Sequence, residues 1–260
     1  MKILQISDTH LVAPGEQVYG LDPMARLQAC FDDINEQHPD AEFAVFTGDL
    51  AHYGGERAYQ LLAELLERLK VPAQLLIGNH DHRQRFQAAF PATPKDANGF
   101  VQFSIATSAG RCIGLDTNEP NVHYGRLCRQ RLDWLDAQLR DAADEAVYLF
   151  MHHPPFEVGL KEMDTIALKD KGAFADIVAA RNNVRHIFVG HLHRPLSGSW
   201  RNIPFSNLPG TNHQVALDFE IEDGVPGSKE PPAYAVIFLE PGSTLVHLRN
   251  FTDRTATFML

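Results

Sequence analysis

Short apolar runs alternate with amphipathic stretches along the first three-quarters of the chain. Lys2–Ile6 reads as a strand. Pro23–Gln37 then places Met24, Leu27, Cys30, Phe31 and Ile34 at helical spacing, with Asp22 as N-cap and Pro23 at the first helical position. Residues 42–47 predict a strand. Residues 55–70 predict a helix with Tyr59, Leu62, Leu65, Leu66 and Leu69 on one side. A strand follows over 73–77, and a short helix over 83–90 stops at Pro91. Residues 100–106 and 111–116 predict a strand pair, 127–139 a helix, 146–151 a strand, 172–181 a helix and 184–189 a strand.

The character changes after residue 195. Segments 196–200, 215–221, 233–239 and 244–251 predict strands, and the Gly-, Pro- and charge-rich stretch 222–232 predicts a loop. The order βαβαβα, then mostly β, implies a layered α/β fold with helices outside and one or two sheets inside. Residues 1–214 read as one domain. Residues 215–260 read as a β-rich extension that completes the sheet or contributes to oligomer contacts.

Composition narrows the class. With 44% apolar and 22% charged residues in 260, the chain can bury a core. No apolar run approaches the ~20 residues that span a bilayer, and the start MKILQISDTH does not serve as a secretory signal. A net charge of -10 disfavours nucleic-acid backbones and anionic membranes as partners. It leaves phosphate chemistry open, because a bound metal brings its own charge. Three cysteines, Cys30, Cys112 and Cys128, are expected to be buried, reduced thiols of a cytoplasmic protein.

The chemistry lies in five repeats of one arrangement. An apolar run ends in Asp8-Thr9-His10, another in Gly48-Asp49, a third in Gly78-Asn79-His80-Asp81, a fourth in His152-His153 and a fifth in Gly190-His191-Leu192-His193. By chance, Gly-His-x-His arises about 0.05 times in such a chain and Gly-Asn-His-Asp about 0.003 times. Side chains that leave the core at the carboxyl ends of strands can converge. Asp8 and His10, like His191 and His193, point the same way if the backbone is extended. Asp8, His10, Asp49, Asn79, His152, His191 and His193 are O and N donors suited to Mn, Fe, Zn or Co. Seven donors are too many for one tetrahedral ion and about right for two divalent metal ions sharing a carboxylate. Such pairs serve in-line displacement at phosphorus.

In this order the motifs resemble the calcineurin-like metallophosphoesterase superfamily over about residues 1–195. The resemblance implies a four-layer α/β/β/α sandwich with a binuclear centre at the carboxyl ends of the strands. It places Asp8, His10 and His193 with Asp49 on one metal, and Asn79, His152 and His191 on the other, with Asp49 bridging. It gives His80 a catalytic role beside Asp49, as the donor to the leaving oxygen. Asn79, His80 and, more weakly, His213 would meet the substrate. The stretches Met151-His152-His153-Pro154-Pro155, Met163-Asp164-Thr165-Ile166-Ala167 and 208–215 resemble the bacterial glycerophosphodiesterase branch, close to the class III cyclic-nucleotide phosphodiesterases. The implied activity is hydrolysis of small glycerophosphodiester-like phosphodiesters by a metal-activated hydroxide. Cyclic nucleotides are the alternative substrate, and a phosphomonoesterase or a non-catalytic scaffold are lesser alternatives. The implied assembly is a homo-oligomer (dimer or higher), with no nucleic-acid polymer and no membrane as partner.

The remaining groups have plainer readings. Asp81 is expected to orient His80 or a ligand, and His153 to be buried without ligating. His38, His82, His123, His186 and His247 are expected on the surface or in packing, and His52 could line the pocket. Arg57, Arg83 and Arg194 are expected to be solvated.

Overall fold

A computed structural model describes residues 1–253, 255, 258 and 259. The tail of the segment assigned to 215–260, at residues 254, 256, 257 and 260, lies outside the described residues. In chain order the elements are β1 Lys2–Ile6, α1 Pro23–Gln37, β2 Ala44–Thr47, α2 Glu56–Leu66, β3 Ala73–Leu76, α3 Arg83–Ala89, β4 Phe103–Thr107, β5 Gly110–Leu115 and α4 Arg129–Asp141. There follow β6 Val147–Met151, α5 Lys161–Thr165, α6 Lys171–Arg181, β7 Val184–Val189, β8 Leu196–Trp200, β9 Ile203–Asn207, β10 Gln214–Val215, β11 Gly227–Ser228, β12 Tyr234–Glu240 and β13 Ser243–Arg249.

Alternation along the strands divides the apolar residues among three layers of core. The first sheet has the order β13-β12-β1-β2-β3 and the second β4-β5-β6-β7-β9-β8. Ile3, Val45, Tyr148, Phe150, Phe188 and Ile237 meet between the sheets. Their neighbours Leu4, Ile6 and Phe46 turn outward onto Leu27, Phe31, Tyr59 and Leu62 of α1 and α2. Leu149, Met151, Ile187 and Val189 pack on Leu135, Leu139, Phe174 and Val178 of α4 and α6. The result is the α/β/β/α sandwich. A period of two on buried strands and of 3.6 on helices produces it, because each sheet has two apolar faces to cover.

The strands that end in polar motifs run parallel. β1, β2 and β3 are parallel neighbours in the first sheet, and β5, β6, β7 and β9 in the second. Their carboxyl ends therefore open on one edge of the sandwich. Just beneath that edge, the Gln5 amide donates to the Val189 carbonyl (2.9 Å) and to Thr47 Oγ1 (3.1 Å), tying the two sheets together. β12 adds antiparallel to β1, and β13 to β12. The Tyr234 hydroxyl (2.7 Å) and Arg249 anchor this pair to the buried Asp33 of α1. Among the described residues no helix is long and apolar enough to cross a membrane.

Three local expectations change. The strand expected over 215–221 shrinks to Gln214–Val215, paired with Gly227–Ser228. Beyond it the apolar side chains Leu217 and Phe219 face solvent, and Asp218 Oδ1 accepts from the Glu220 N–H in a local turn that competes with strand pairing. β9 is an addition, concealed in the sequence by Pro204. It pairs with β8 through a tight turn in which Arg201 and Asn202 take left-handed φ of 50° and 65°. α5 is another, at five residues too short for periodicity to reveal.

His186 is a packing residue, as expected. It stacks on Phe188 between the sheets, and its Nε2 lies 2.9 Å from Ser206 Oγ. Burial pushes its pKa down to about 4. The unfolded chain binds this proton from near pH 6.5, whereas the folded chain resists it until about pH 4. Stability therefore falls as pH drops through that window, by about 3 kcal/mol from this group when complete. Urea unfolding at pH 7.5 and 4.5 is expected to show His186→Phe losing about 2–3 kcal/mol less than the parent. Equal losses would discard the assignment.

Candidate metal centre

The five motifs meet where the strands end. Asp8 and His10 follow β1, Asp49 follows β2, Asn79 and His80 follow β3, His152 follows β6, and His191 and His193 follow β7. The expected extended backbone is not what aims them. Asp8, His10, Asp49, His191 and His193 have φ of 55°, 46°, 51°, 70° and 48°. Left-handed backbone in a non-glycine residue is uncommon, and Asp, Asn and His tolerate it better than most. Here it turns the chain where it leaves β1, β2 and β7. Gly48, at φ 98°, leaves room beside it: a Cβ there would lie 2.6 Å from His152 Nδ1.

All seven expected donors come together. Asp8 Oδ1 is 3.2 Å from His193 Nε2, which is 3.1 Å from His10 Nε2. Asp49 Oδ2 is 3.7 Å from His10 Nε2 and 3.4 Å from His152 Nε2, which is 3.1 Å from Asn79 Oδ1. The His191 ring lies 5.0 Å from that of His152, and the His191 N–H donates to Asp8 Oδ1. Asp49 thus stands between an Asp8/His10/His193 group and an Asn79/His152/His191 group.

Hydrogen placement shows what this cluster lacks. His152 Nδ1 is 2.7 Å from the Thr47 carbonyl, and His193 Nδ1 is 2.7 Å from the His213 carbonyl. A carbonyl only accepts, so both rings carry their hydrogen on Nδ1 and, when neutral, expose a lone pair at Nε2. Those lone pairs face Asp8, Asp49 and Asn79 oxygens, acceptors facing acceptors. Asp8 Oδ2 is buried with no hydrogen-bond partner at all. Such a knot of acceptors is stable only with positive charge inside it.

The ionisation tendencies agree. Burial opposes charge on His152, yet Asp49 outweighs it and lifts the imidazole to about 9. Burial also opposes charge on His193, and Asp8 again prevails and raises it. For His10 and His191 burial wins, holding both well below the usual histidine range. Asp49 is held well below the usual carboxylate range, since His152 and His80 overcome its burial. The potential that attracts a proton here attracts a divalent ion as well. The oxygen and nitrogen donors fit one.

The centre forms the floor of a cavity of about 590 Å³. His80 lies in its wall, with Nδ1 donating to the His52 carbonyl (2.8 Å) and Nε2 4.0 Å from Asp49 Oδ2. His213 sits where expected, its ring 4.7 Å from those of His10 and His193. Burial pushes it down to about 3. His52 lines the cavity too, and burial lowers it to about 4.

Other readings change with the tertiary contacts. The Asp81 carboxylate makes its hydrogen bonds to the loops and to Tyr59, not to the His80 ring. It accepts from Leu50 N–H, Ala51 N–H, Gly78 N–H and the Tyr59 hydroxyl, and so locks the Asp49 loop to the Asn79 loop. Burial and Asp49 push it up to about 6. His153 is buried, as expected, with Nδ1 on Thr117 Oγ1 (2.7 Å) and Nε2 on the His123 carbonyl (3.1 Å). His123 lies in the cavity wall with Nδ1 3.3 Å from Asn79 Nδ2, a place its solitary position in the sequence does not signal. Arg83 is not solvated: it forks onto Asp116 at 2.8 and 3.0 Å. Arg194 is held by the Val215 carbonyl and by Glu230. Met163, Ile166, Val215, Val225 and Pro226 form an apolar end of the cavity. Cys30 and Cys112 are buried, whereas Cys128 is only half-buried.

Known proteins resemble this chain. The family model described as calcineurin-like phosphoesterase matches residues 1–195. A probable cyclic nucleotide phosphodiesterase of Rhodopseudomonas palustris is 47% identical over 255 residues, covering 96% of this chain and 93% of that protein. A probable glycerophosphodiester phosphodiesterase of Arcobacter nitrofigilis is 32% identical, covering 90% and 86%. Among solved structures, a dimetal phosphatase from Danio rerio superposes with a TM-score of 0.73 at 14% identity, covering 97% of this chain and 96% of that one, a likeness of fold. The chain belongs to the calcineurin-like phosphoesterase family.

Proposed function

We propose that the protein is a metal-dependent phosphodiesterase that hydrolyses small organic diesters of the glycerophosphodiester kind. The observation that carries this reading is the knot of lone pairs around Asp49, whose ring hydrogens are already spent on the carbonyls of Thr47 and His213. Asp8, His10 and His193 would hold one divalent ion and Asn79, His152 and His191 a second, with Asp49 between them, the metals being Mn, Fe, Zn or Co. When bound, the pair supplies positive charge for the phosphate and lowers the pKa of water for attack in line with the leaving oxygen.

The chain's own groups do the rest. His80 is oriented by its Nδ1–H bond to the His52 carbonyl, which leaves Nε2 facing the cavity. A proton held there passes to the leaving oxygen. Asp49 Oδ1 accepts the His80 N–H at 2.9 Å and keeps this histidine beside the centre. Asn79 turns its Oδ1 to His152 Nε2 and its amide Nδ2 to the cavity wall, and His213 borders the same space, so both can meet the substrate.

A second reading, 3',5'-cyclic nucleotide hydrolysis, is favoured by the apolar end of the cavity and by the name of the Rhodopseudomonas relative. In both readings the chain acts in the cytoplasm as a homo-oligomer. Buried free thiols support the compartment. The exposed Leu245 and Leu248 of edge strand β13 support self-association, which light scattering tests.

The decisive experiment is a substrate panel under defined metal: glycerophosphoethanolamine, cyclic AMP, bis(p-nitrophenyl) phosphate and p-nitrophenyl phosphate. Diesters are expected to exceed the monoester clearly in kcat/KM. His80→Gln is expected to lose about 10²–10⁴-fold on alkyl diesters, and much less on p-nitrophenyl esters, whose leaving oxygen needs no proton. A monoester preference would make the protein a phosphomonoesterase. A chain that takes up metal and turns over nothing would be a scaffold. Equal losses across leaving groups would remove His80 from the role.

A further inference from the structure

We propose that His52 is a positioning residue that fixes which nitrogen of His10 is offered to a metal ion, a role resting on the metal-dependent reading above. His10 points Nε2 into the cluster, 3.1 Å from His193 Nε2 and 3.7 Å from Asp49 Oδ2. Its hydrogen must then sit on Nδ1. For His152 and His193 the outer nitrogen meets a main-chain carbonyl, which accepts in every circumstance. His10 is different. Its Nδ1 meets another imidazole nitrogen, His52 Nδ1, at 3.0 Å. Two ring nitrogens make a hydrogen bond in one way only: one donates and the other offers a lone pair. His10 donates, so His52 accepts at Nδ1 and carries its own hydrogen on Nε2.

The surroundings of His52 hold it to this task. Its main-chain N–H donates to the Leu11 carbonyl at 2.9 Å. Its ring stacks on His80 at 5.1 Å between centroids and 17° between planes, and Tyr53 closes on its edge at 4.4 Å. Its carbonyl receives the His80 Nδ1–H. One residue therefore sets the hydrogen of a metal-facing histidine through its side chain and orients His80 through its main chain. Side-chain substitutions address the first without deleting the carbonyl that serves the second. Partners that orient metal-bound histidines typically contribute 10–100-fold in metal affinity.

The test is zinc affinity of the full-length protein, measured by competition with a chromogenic chelator. His52→Asn places an amide oxygen close to the position of Nδ1 and keeps the acceptor. His52→Leu fills similar space without one. The leucine variant is expected to bind zinc about 10–100-fold more weakly, and the asparagine variant to recover most of that loss. Nitrogen-15 NMR of the imidazoles in the unaltered zinc-loaded protein decides the matter without any variant. It is expected to show hydrogen on His10 Nδ1 and on His52 Nε2. Parental zinc affinity in the leucine variant, an asparagine variant as weak as leucine, or hydrogen on His10 Nε2 would each overturn the assignment. Failure of the unaltered protein to take up zinc would instead strike the metal-dependent reading itself.

Discussion

Asp49→Ala is expected to lower kcat on a small diester by about 10³-fold or more, even with metal in excess. Two-metal sites contribute several kcal/mol at the transition state, and each 1.36 kcal/mol is a factor of ten. Among the described residues, Asp49 is the carboxylate that lies between the two groups of donors. Its Oδ2 lies 3.7 Å from His10 Nε2 on one side and 3.4 Å from His152 Nε2 on the other. Its Oδ1 also takes the His80 N–H. Alanine removes the carboxylate that stands between the two groups and the loop contact together. Asp49→Asn separates them, because an amide oxygen still accepts from His80 while the negative charge is gone. If the charge is what matters, the asparagine variant stays at least about 10²-fold down and retains less than the parental metal by elemental analysis. Turnover within tenfold of the parent in either variant would remove Asp49 from the centre of the chemistry.

The second large effect needs no polar atom to change. A Cβ on Gly78 would lie 2.2 Å from Asp49 Oδ1, 2.6 Å from Asp49 N and 2.7 Å from His152 Cε1. The backbone cannot retreat, since Gly78 N–H donates to Asp81 Oδ2 at 2.9 Å and its carbonyl accepts from Asn118 Nδ2 at 2.6 Å. Gly78→Ala therefore displaces the Asp49 carboxylate or the His152 ring. A misplacement of about 1 Å costs about 10²-fold in rate, and forcing a methyl into a packed site costs about 1–3 kcal/mol in stability. Gly172→Ala is the control. That position lies in α6 with nothing within 4 Å of the added methyl, and the change is expected to stabilise by about 0.4–1 kcal/mol with turnover intact. Thermal melts and kcat/KM on the two variants check both. A Gly78→Ala protein with parental turnover would show that the glycine motif is not a steric requirement.

The same crowding explains why the motifs are legible in the sequence. Gly48-Asp49, Gly78-Asn79 and Gly190-His191 each place a residue without a side chain next to a donor, and added Cβ atoms would meet His152, Asp49 and Ser7. Close approach of the chain ends after β2, β3 and β7 demands those glycines, so glycine and donor stand side by side in the sequence. Helix α1 was legible to the residue for a local reason: Asp22 Oδ1 caps Ala25 N–H at 3.0 Å and Pro23 starts the first turn. α5, β9 and the collapse of 215–221 were not: α5 is too short to show a period, Pro204 hides β9, and Asp218 starts a local turn where a strand was expected. The sequence reads His123 as a surface or packing residue and His52 as one that could line the pocket, with no signal of its contact with His10; each stands far in sequence from the residue that it touches.

By itself the sequence determined the alternation of strands and helices, the two-faced burial of the strands, and the seven donors with their order. These follow from periodicity and from residue types that no core would hold without a partner. The tertiary structure alone decided that the donors divide between two sheets and that Asp8, His10, Asp49, His191 and His193 take left-handed backbone. It alone decided which nitrogen of His10, His152 and His193 faces the cluster, and that Val225 and Pro226 line the same cavity. Periodicity records which face of an element is buried. Hydrogen-bond direction and cavity shape arise only when distant segments press against one another.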